Sequence, residues 1–183
     1  KINNNLPKES NISFTELGKI CTKTGSGSTP LGGKDSYLEN GIPFLRSQNI
    51  HNEGLKLENV AYISKETHEK MSNTKVIPND ILLNITGGSI GRCSIVKNEF
   101  EEANINQHVS IIRLKNKKSV EYVHSVIKSD YFQNHIFDNQ TGAGREGLPK
   151  KKMDKIKIPF PKNNKKQRIV KKLKNILKYL NII

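Results

Sequence analysis

DILLNITGGSIGRCSIV (residues 80–96) is the stretch of sequence that decides the fold. Two apolar, β-branched runs, 80–86 and 92–96, stand on either side of a glycine-containing break, and a third run, 108–114, follows after a polar break. Apolar runs of this length separated by glycine or polar residues are typical of neighbouring strands. The pattern predicts three strands.

Further strands are expected on both sides of this centre. A short strand that leads into a polar loop is predicted within 42–50, and another strand is predicted at 60–63. The segment 156–161 alternates apolar and polar residues, and its prolines end it. Together these runs predict a sheet-rich body.

Two helices are predicted inside the body. Ser64 is placed to cap a helix that runs to about residue 72, and Ser119 is placed to cap a longer helix that continues to Ile136. The glycine-rich segment 141–152 is predicted to be a loop.

The C-terminal segment has a sharper period. Apolar residues spaced by 4, 3, 4 and 3 positions form a heptad seam, and they are Ile169, Leu173, Ile176, Leu180 and Ile183. A helix of this length is marginal in water, so the seam must be buried against its own domain or against a partner helix. The period of 3.5 favours the partner helix, and the seam continues to the chain end as it would in a longer helix cut midway.

The stretch TGSGSTPLGGKDS (24–36) resembles a phosphate-binding loop in composition only. The pattern G-x-x-x-x-G-K-[ST] needs a glycine where Ser28 stands and a hydroxyl where Asp35 stands. A carboxylate in place of the metal-binding hydroxyl would repel the negatively charged phosphates of a nucleotide. The stretch therefore predicts a loop, one that touches another anion or shapes the domain, and no nucleotide site.

Charge is concentrated at one end of the chain. The 183 residues carry a formal net charge of +14, of which residues 150–183 hold thirteen Lys or Arg against one acid. This distribution favours a polyanion as partner, with a solvated helix face as the alternative. No apolar run is long enough to span a bilayer. Cys21 and Cys93 are isolated, which favours a reducing, cytoplasmic location and no structural zinc.

Signatures of catalysis are missing from the sequence. No acid after Asp80 is followed two residues later by lysine, as a metal-dependent nuclease requires, and no Pro-Pro turn of an amino-methyltransferase occurs. The five histidines show no metal-ligand pairing. The chain is predicted to be a non-enzyme without cofactor or metal.

Five segments in order resemble the specificity subunit of type I restriction–modification enzymes. They are TGSGSTP (24–30), GIPFLRSQNI (41–50), DILLNITGGSIGRCSIV (80–96), NINQHVSIIRL (104–114) and GREGLPKKKMDKIKIPFPKNNKKQRIVKKLKNI (144–176). The resemblance covers residues 14–183. One departure is Lys166-Gln167, where the family has Glu-Gln. Another is length, because a full subunit carries two recognition domains separated by antiparallel helices.

The resemblance implies an α+β architecture with a curved, mostly antiparallel sheet and a few helices, followed by a long coiled-coil-type helix. Its expected divisions are a flexible segment 1–13, a DNA target recognition domain 14–161 and a basic spacer helix 162–183. It implies sequence-specific reading of one half of a bipartite duplex target. The implied partners are double-stranded DNA, methyltransferase subunits, indirectly the restriction subunit, and a second recognition half or a second copy through the helix; no membrane is implied.

Candidate DNA-binding residues combine hydrogen-bonding side chains for base edges with cations for phosphates. They are Lys34, Arg46, Ser47, Gln48, Asn49, Ser89, Arg92, Gln107, Arg145, Lys150 and Lys151. An ordinary polar loop or tight turn is the alternative for each of them. Two other functions stay open: the recognition module of a fused restriction–methylation enzyme, and a basic RNA-binding module.

Overall fold

The computed structural model describes residues 12–140, 147–161 and 163–179. Its strands are β1 (Ile12–Glu16), β2 (Cys21–Ser26), β3 (Ile42–Leu45), β4 (Ile50–His51), β5 (Gly54–Leu55), β6 (Ala61–Ile63), β7 (Lys75–Val76), β8 (Ile81–Asn84), β9 (Cys93–Ile95), β10 (Ala103–Ile105), β11 (Val109–Leu114) and β12 (Lys157–Pro161). Its α-helices are α1 (Lys65–Lys70), α2 (Val120–Ile127), α3 (Asp130–Asn139), α4 (Lys150–Lys155) and α5 (Asn163–Tyr179). Short 3-10 helices cover Leu17–Ile20, Gly33–Ser36, Ser47–Asn49, Ser72–Thr74, Gly87–Ser89 and Lys117–Ser119.

The strands form two four-stranded sheets rather than one. The first has the order β6-β3-β10-β7 and the second the order β2-β11-β8-β9, with two-stranded ribbons β1-β12 and β4-β5 beside them. All strand pairs are antiparallel except β10 with β3. The expected mostly antiparallel character is confirmed, and so are the three strands expected within 80–114, as β8, β9 and β11; β8 and β9 pair as an antiparallel hairpin.

The second sheet lies between two layers, which explains its uninterrupted apolar runs. On β8, Leu82 packs in a cluster with Ile105 of the first sheet, while its neighbours Ile81 and Leu83 pack in a second cluster with the helices. On β11, Ile111 faces the first sheet and its neighbour Ile112 faces the helices in the same way. A strand covered on both faces needs apolar residues at successive positions rather than at alternate ones.

Two helical predictions need correction. The helix expected from Ser119 to Ile136 is two helices, α2 and α3, because Ser129 adopts an extended conformation (φ −74°, ψ 151°) and starts a new helix. The break lets Phe132 and Ile136 enter the core from a second direction, and both are fully buried. The loop expected over 141–152 is helical from Lys150 onward as α4, where Pro149 occupies the N-cap and Met153 is buried.

The two ends of the body are joined. β1 and β12 pair antiparallel over five residues each, from Ile12 beside Pro161 to Glu16 beside Lys157. The first strand therefore starts two residues ahead of the expected domain start at residue 14. The chain enters and leaves the body at the same place, and α5 starts there.

Helix α5 packs on the body at its start, and Lys174 still forms an ion pair with Glu121 of α2, but its apolar residues become exposed along its length. Val170 is buried and Ile169 is partly buried against the helical side of the core, whereas Leu173 is 40% exposed and Ile176 is 54% exposed. Leu180 and Ile183 lie outside the described residues. The structure confirms a helix at this place, and its pairing in a coiled coil stays a prediction.

The departure at Lys166 has a structural explanation. The side chain is buried, its Nζ lies 3.2 Å from the centre of the Phe160 ring, and it donates to Ser119 Oγ over 3.4 Å. A cation over an aromatic face is stabilised by the ring quadrupole. Burial lowers the pKa of the Lys166 ammonium. Within the described part of the chain, no helix has the length and apolarity to cross a membrane.

Candidate nucleic-acid interface

Strand ends from both sheets meet along one edge of the body. Leu45 of β3 lies beside Ile105 of the parallel strand β10, so both strands end there. In the second sheet, the end of β8 at Asn84 lies beside the start of β11 at Val109. The edge is built from residues 27–36, 46–49, 85–92, 106–108 and 147–149, which we call the loop edge.

The two sheets touch directly at the loop edge. Gly27 donates its amide to the Val109 carbonyl over 3.0 Å within the second sheet, and Asn106 donates to the Leu45 carbonyl over 3.0 Å within the first. Gly27 runs so close to Ile105 that an added Cβ would lie 1.9 Å from its carbonyl oxygen. Only glycine fits at this position, and the contact fixes where the 27–36 loop leaves the sheet.

A buried amide joins two loops of this edge. Asn84 Nδ2 donates to the Ser47 carbonyl over 2.9 Å and to Ser89 Oγ over 3.0 Å. Asn84 is fully buried, so its side chain acts from inside the body. It sets the position of the 46–49 turn relative to the glycine turn that carries Ser89 and Arg92.

A second set of hydrogen bonds joins three other segments. Thr86 Oγ1 lies 2.6 Å from His108 Nδ1, and Gln107 Nε2 lies 3.1 Å from His108 Nε2. Thr86 also forms an isolated bridge with Gly147, and Leu148 donates to the Ile85 carbonyl over 2.8 Å. The segment that enters α4 is thereby fixed beside the strand end of β8.

Arg46 is held in a defined direction by two neighbours. Its guanidinium carbon lies 5.5 Å from the centre of the Tyr37 ring, and its Nη2 donates to the Asn59 carbonyl over 3.1 Å. Arg46 is partly buried. An arginine with a preset fork loses little side-chain entropy when it binds a guanine edge or a phosphate.

The 24–36 stretch does not form a phosphate cradle. Its first three residues belong to β2. The amides of Gly27, Gly33 and Asp35, and that of Tyr37 just after the stretch, donate hydrogen bonds to carbonyls of the protein itself. Gly33 donates to Pro30 over 2.9 Å, Asp35 to Gly32 over 3.2 Å, and Tyr37 to Lys34 over 3.1 Å. A phosphate loop needs such amides free to point at its ligand.

The predicted residues fall into four groups. Exposed ones are Lys34, Gln48, Arg92, Gln107, Lys150 and Lys151; partly buried ones are Arg46, Ser47 and Ser89; Asn49 is buried; Arg145 lies outside the described residues. Ten of the eleven lie in the loop edge or at the start of α4, which follows it. Their closeness to one another was expected only from the resemblance. Lys150 forms an ion pair with Asp154, so its single positive charge is already partly compensated.

Asn49 has a different place from the one expected. Its Oδ1 accepts from the Arg46 amide over 3.0 Å, and its Nδ2 donates to the Lys56 carbonyl over 2.9 Å. Both functions of the amide are used inside the protein, so Asn49 shapes the turn that presents Ser47 and Gln48. We leave it out of the interface.

Sequence reasoning missed Asn84, Thr86 and His108. The available signal was a polar residue within an otherwise apolar strand, since Asn84 ends the run ILLN. A polar side chain at a core position must find partners, and here the partners lie in the two loops that carry Ser47 and Ser89.

One group of side chains in the described residues has metal-ligand geometry, and it lies elsewhere. His68, Glu69 and Glu102 bring ligand atoms within 4.8 Å of one another. Lys65 binds Glu102 and Lys75 binds Glu69, and these contacts lower the pKa of both carboxyls. Glu102 precedes β10, whose other end reaches the loop edge, so the group lies at the opposite side of the body.

Comparisons with known proteins agree on one family. The profile of the family described as type I restriction modification DNA specificity domain matches residues 9–183. The chain is 26% identical over 149 residues to the EcoBI type I restriction enzyme specificity subunit of Escherichia coli, covering 80% of this chain and 31% of that subunit. It thus spans about a third of the length of this curated relative.

Two solved structures have the same fold. One, from a study of complex assembly and conformational transition of the type I R-M system, has a TM-score of 0.74 at 15% identity and covers 98% of this chain and 42% of the other. The HsdS subunit from Thermoanaerobacter tengcongensis has a TM-score of 0.70 at 14% identity and covers 99% of this chain and 41% of the other. At these identities the likeness establishes the fold alone.

Proposed function

The chain belongs to the family of type I restriction–modification DNA specificity domains, and from this premise we propose that its loop edge reads one half of a bipartite target in duplex DNA. The observation that carries the proposal is the convergence of separate loops on one edge, where buried polar groups fix their relative positions. Sequence is read by hydrogen bonds to base edges from several positions at once, which requires side chains on rigid supports.

The loop edge has the two kinds of group that such reading needs. Gln48 and Gln107 are exposed and carry both a donor and an acceptor, as adenine recognition requires. Arg92 is exposed beside a glycine turn and is suited to a phosphate or a guanine. Each good bidentate contact to the right base discriminates by about 1–3 kcal/mol.

The second part of the proposal concerns α5. Its exposed apolar residues Leu173 and Ile176 continue a seam that the body covers only at its start. We propose that a partner helix covers this seam, from the second recognition half of a longer chain or from a second copy, and that methyltransferase subunits dock on the resulting spacer. Methyl transfer and cleavage are assigned to those other subunits and the restriction subunit, and this chain contributes the choice of target.

Selection from a random duplex library tests the function. The chain, with the methyltransferase subunits of its own system, is expected to enrich a gapped pattern of which one half depends on this chain. Methylated positions in the source genome should show the same half-pattern and lose it when the gene is deleted. Preference for structured RNA over every duplex, or cleavage or methylation of DNA by this chain alone, would contradict the proposal.

A further inference from the structure

Leu31 is presented to solvent at the corner of a rigid turn. Its side chain is 98% exposed, whereas the neighbouring Pro30 is buried. A single exposed leucine is ordinary on a protein surface, so exposure alone carries no argument. The argument comes from how the turn is built and where it stands.

The turn is hydrogen-bonded and has a defined type. Gly33 donates to the Pro30 carbonyl over 2.9 Å, and Gly32 has φ 89° and ψ −6°. These are the features of a type II turn with Leu31 at its first corner and glycine at the position that requires positive φ. Ser36 Oγ donates to the Gly33 carbonyl over 2.7 Å and closes the next turn. The corner therefore has little freedom to fold its leucine back onto the body.

Both stems of the turn are fixed to the loop edge. On one side Gly27 is packed against the Ile105 carbonyl and bonded to Val109. On the other side the Tyr37 ring lies 5.6 Å from the Phe44 ring and under the Arg46 guanidinium. The leucine thus stands on the same support as the side chains proposed to read the DNA.

The surroundings of Leu31 fit a nucleic acid better than a protein groove. Ser28, Thr29 and Lys34 are exposed beside it and offer two hydroxyls and an ammonium to phosphates, while the exposed carboxylate of Asp35 adds one opposing charge. DNA presents two apolar features to such a tip: the methyl group of thymine and the face of a base at a partly unstacked step. Proteins that insert an apolar side chain between base steps use it together with polar or cationic side chains that contact the same groove.

We propose that Leu31 makes an apolar contact to a base of the DNA target. This contact would add to sequence specificity in a way that the hydrogen-bonding candidates do not. The inference rests on the proposed function, because it places this turn on the duplex together with the loop edge. It assigns Lys34 and the two hydroxyls to the phosphates on either side of the contacted base.

The test compares Leu31→Ala with Ile77→Ala in the full chain. Ile77 is 39% exposed and lies just before β8, at the end of this strand that is opposite the loop edge. It therefore serves as an apolar control away from the proposed interface. Dissociation constants are measured by fluorescence anisotropy for the selected target and for an unrelated duplex. We expect Leu31→Ala to weaken target binding about 5- to 20-fold, as the loss of one buried leucine contact implies, with little change for the unrelated duplex. Ile77→Ala should change neither.

Two DNA substitutions distinguish the two apolar contacts. If Leu31 packs on a thymine methyl, one thymine-to-uracil change in the target should weaken wild-type binding and leave Leu31→Ala unaffected. If it unstacks a step, 2-aminopurine at that step should brighten with the wild type and stay quenched with the variant. Wild-type preference for the target combined with unchanged affinity of Leu31→Ala, or an equal loss on both duplexes, would overturn the inference and leave the proposed function intact. Absence of any preference by the wild type would count against the function itself.

Discussion

Asn84 holds Ser47 from inside the body: its Nδ2 donates to the Ser47 carbonyl over 2.9 Å although the two residues are 37 positions apart. The same Nδ2 donates to Ser89 Oγ, so one buried amide sets the spacing of two loops that we propose to read DNA. The proposed recognition geometry therefore depends on a buried residue that would not itself contact the DNA.

Asn84→Ala is expected to separate the two loops. The Ser47 carbonyl loses its donor, and the loss of a buried hydrogen-bond partner costs about 1–3 kcal/mol of unfolding free energy. The ratio of target to non-specific affinity should fall with it, because the loops no longer share a fixed register. Urea unfolding and paired anisotropy titrations measure the two effects, with Asn98→Ala, an exposed asparagine at the opposite end of the sheet, as control. An unchanged affinity ratio in a destabilised Asn84→Ala protein would contradict this role.

Asp80 and Arg113 form a bidentate ion pair at the second sheet. Nε and Nη2 of Arg113 donate to the two Asp80 carboxylate oxygens over 2.8 Å each, and Asp80 is fully buried. The hydrogen bond to Asp80 raises the pKa of the Arg113 guanidinium. Arg113→Met leaves a buried carboxylate without its cation, which should cost about 2–4 kcal/mol in urea unfolding. Lys65→Met, which removes an exposed partner of Glu102, should leave the unfolding midpoint in place; equal losses from the two changes would show that burial is not the cause.

Arg92 is expected to act on phosphates. Its side chain is exposed and makes no hydrogen bond or ion pair within the described ranges, and the glycine turn before it lets the backbone approach DNA closely. Arg92→Ala should weaken binding to all duplexes by a similar factor and lower the slope of log K against log salt by about 1. Lys97→Ala removes an equal charge from the far end of β9 and should leave the slope unchanged. A loss restricted to the target duplex would instead assign Arg92 to a base.

The two cysteines should make the protein sensitive to alkali. Burial raises the pKa of the Cys21 thiol and of the Cys93 thiol to about 12 from 9.0. The unfolded chain releases these protons near pH 9 while the native protein keeps them to about pH 12, so unfolding free energy falls as pH rises through that window. Urea unfolding from pH 8 to 10.5 should show this fall, and Cys93→Ala should reduce its slope. Native thiols that react with a disulfide reagent at pH 8 as fast as denatured ones would contradict their burial.

The sequence predicted three strands of the second sheet, β8, β9 and β11, because each lies in a contiguous apolar run, and Ser64 caps α1 as expected through a hydrogen bond from the Thr67 amide. The fourth strand, β2, was not predicted, because its sequence CTKTGS is polar and its last three residues lie in the stretch expected to be a loop. The first sheet was harder to predict, since β10 covers only three residues and pairs with β3, which lies about sixty positions earlier. The break between α2 and α3 was not predicted, for a related reason. Ser129 interrupts no hydrophobic pattern, and only the shape of the core requires the turn there.

The types of residue in the candidate site could be predicted from the sequence, but their spatial arrangement could not. Polar, exposed side chains such as Gln48 and Arg92 can be chosen from composition, because base reading needs their donors and acceptors. The residues that hold these side chains in place, Asn84 and Asn49, cannot be chosen from composition, because they differ from the exposed candidates only in their burial and in having partners distant along the chain. Leu31 was passed over because an isolated leucine in a glycine-rich stretch gives no periodic signal.

The seam of α5 offers the sharpest test of partnership. Leu173 and Ile176 are 40% and 54% exposed, whereas Val170, one turn earlier, is buried in the body. The double change Leu173→Ser and Ile176→Ser should leave the unfolding free energy of the chain nearly unchanged and abolish its association with methyltransferase subunits or a second recognition half, measured by analytical ultracentrifugation. Val170→Ser should instead lower the unfolding free energy of the chain by about 2–3 kcal/mol, because it removes a buried apolar side chain. If the double change destabilises the isolated chain as much as Val170→Ser does, the seam is buried on its own body, and a partner helix has no surface to cover.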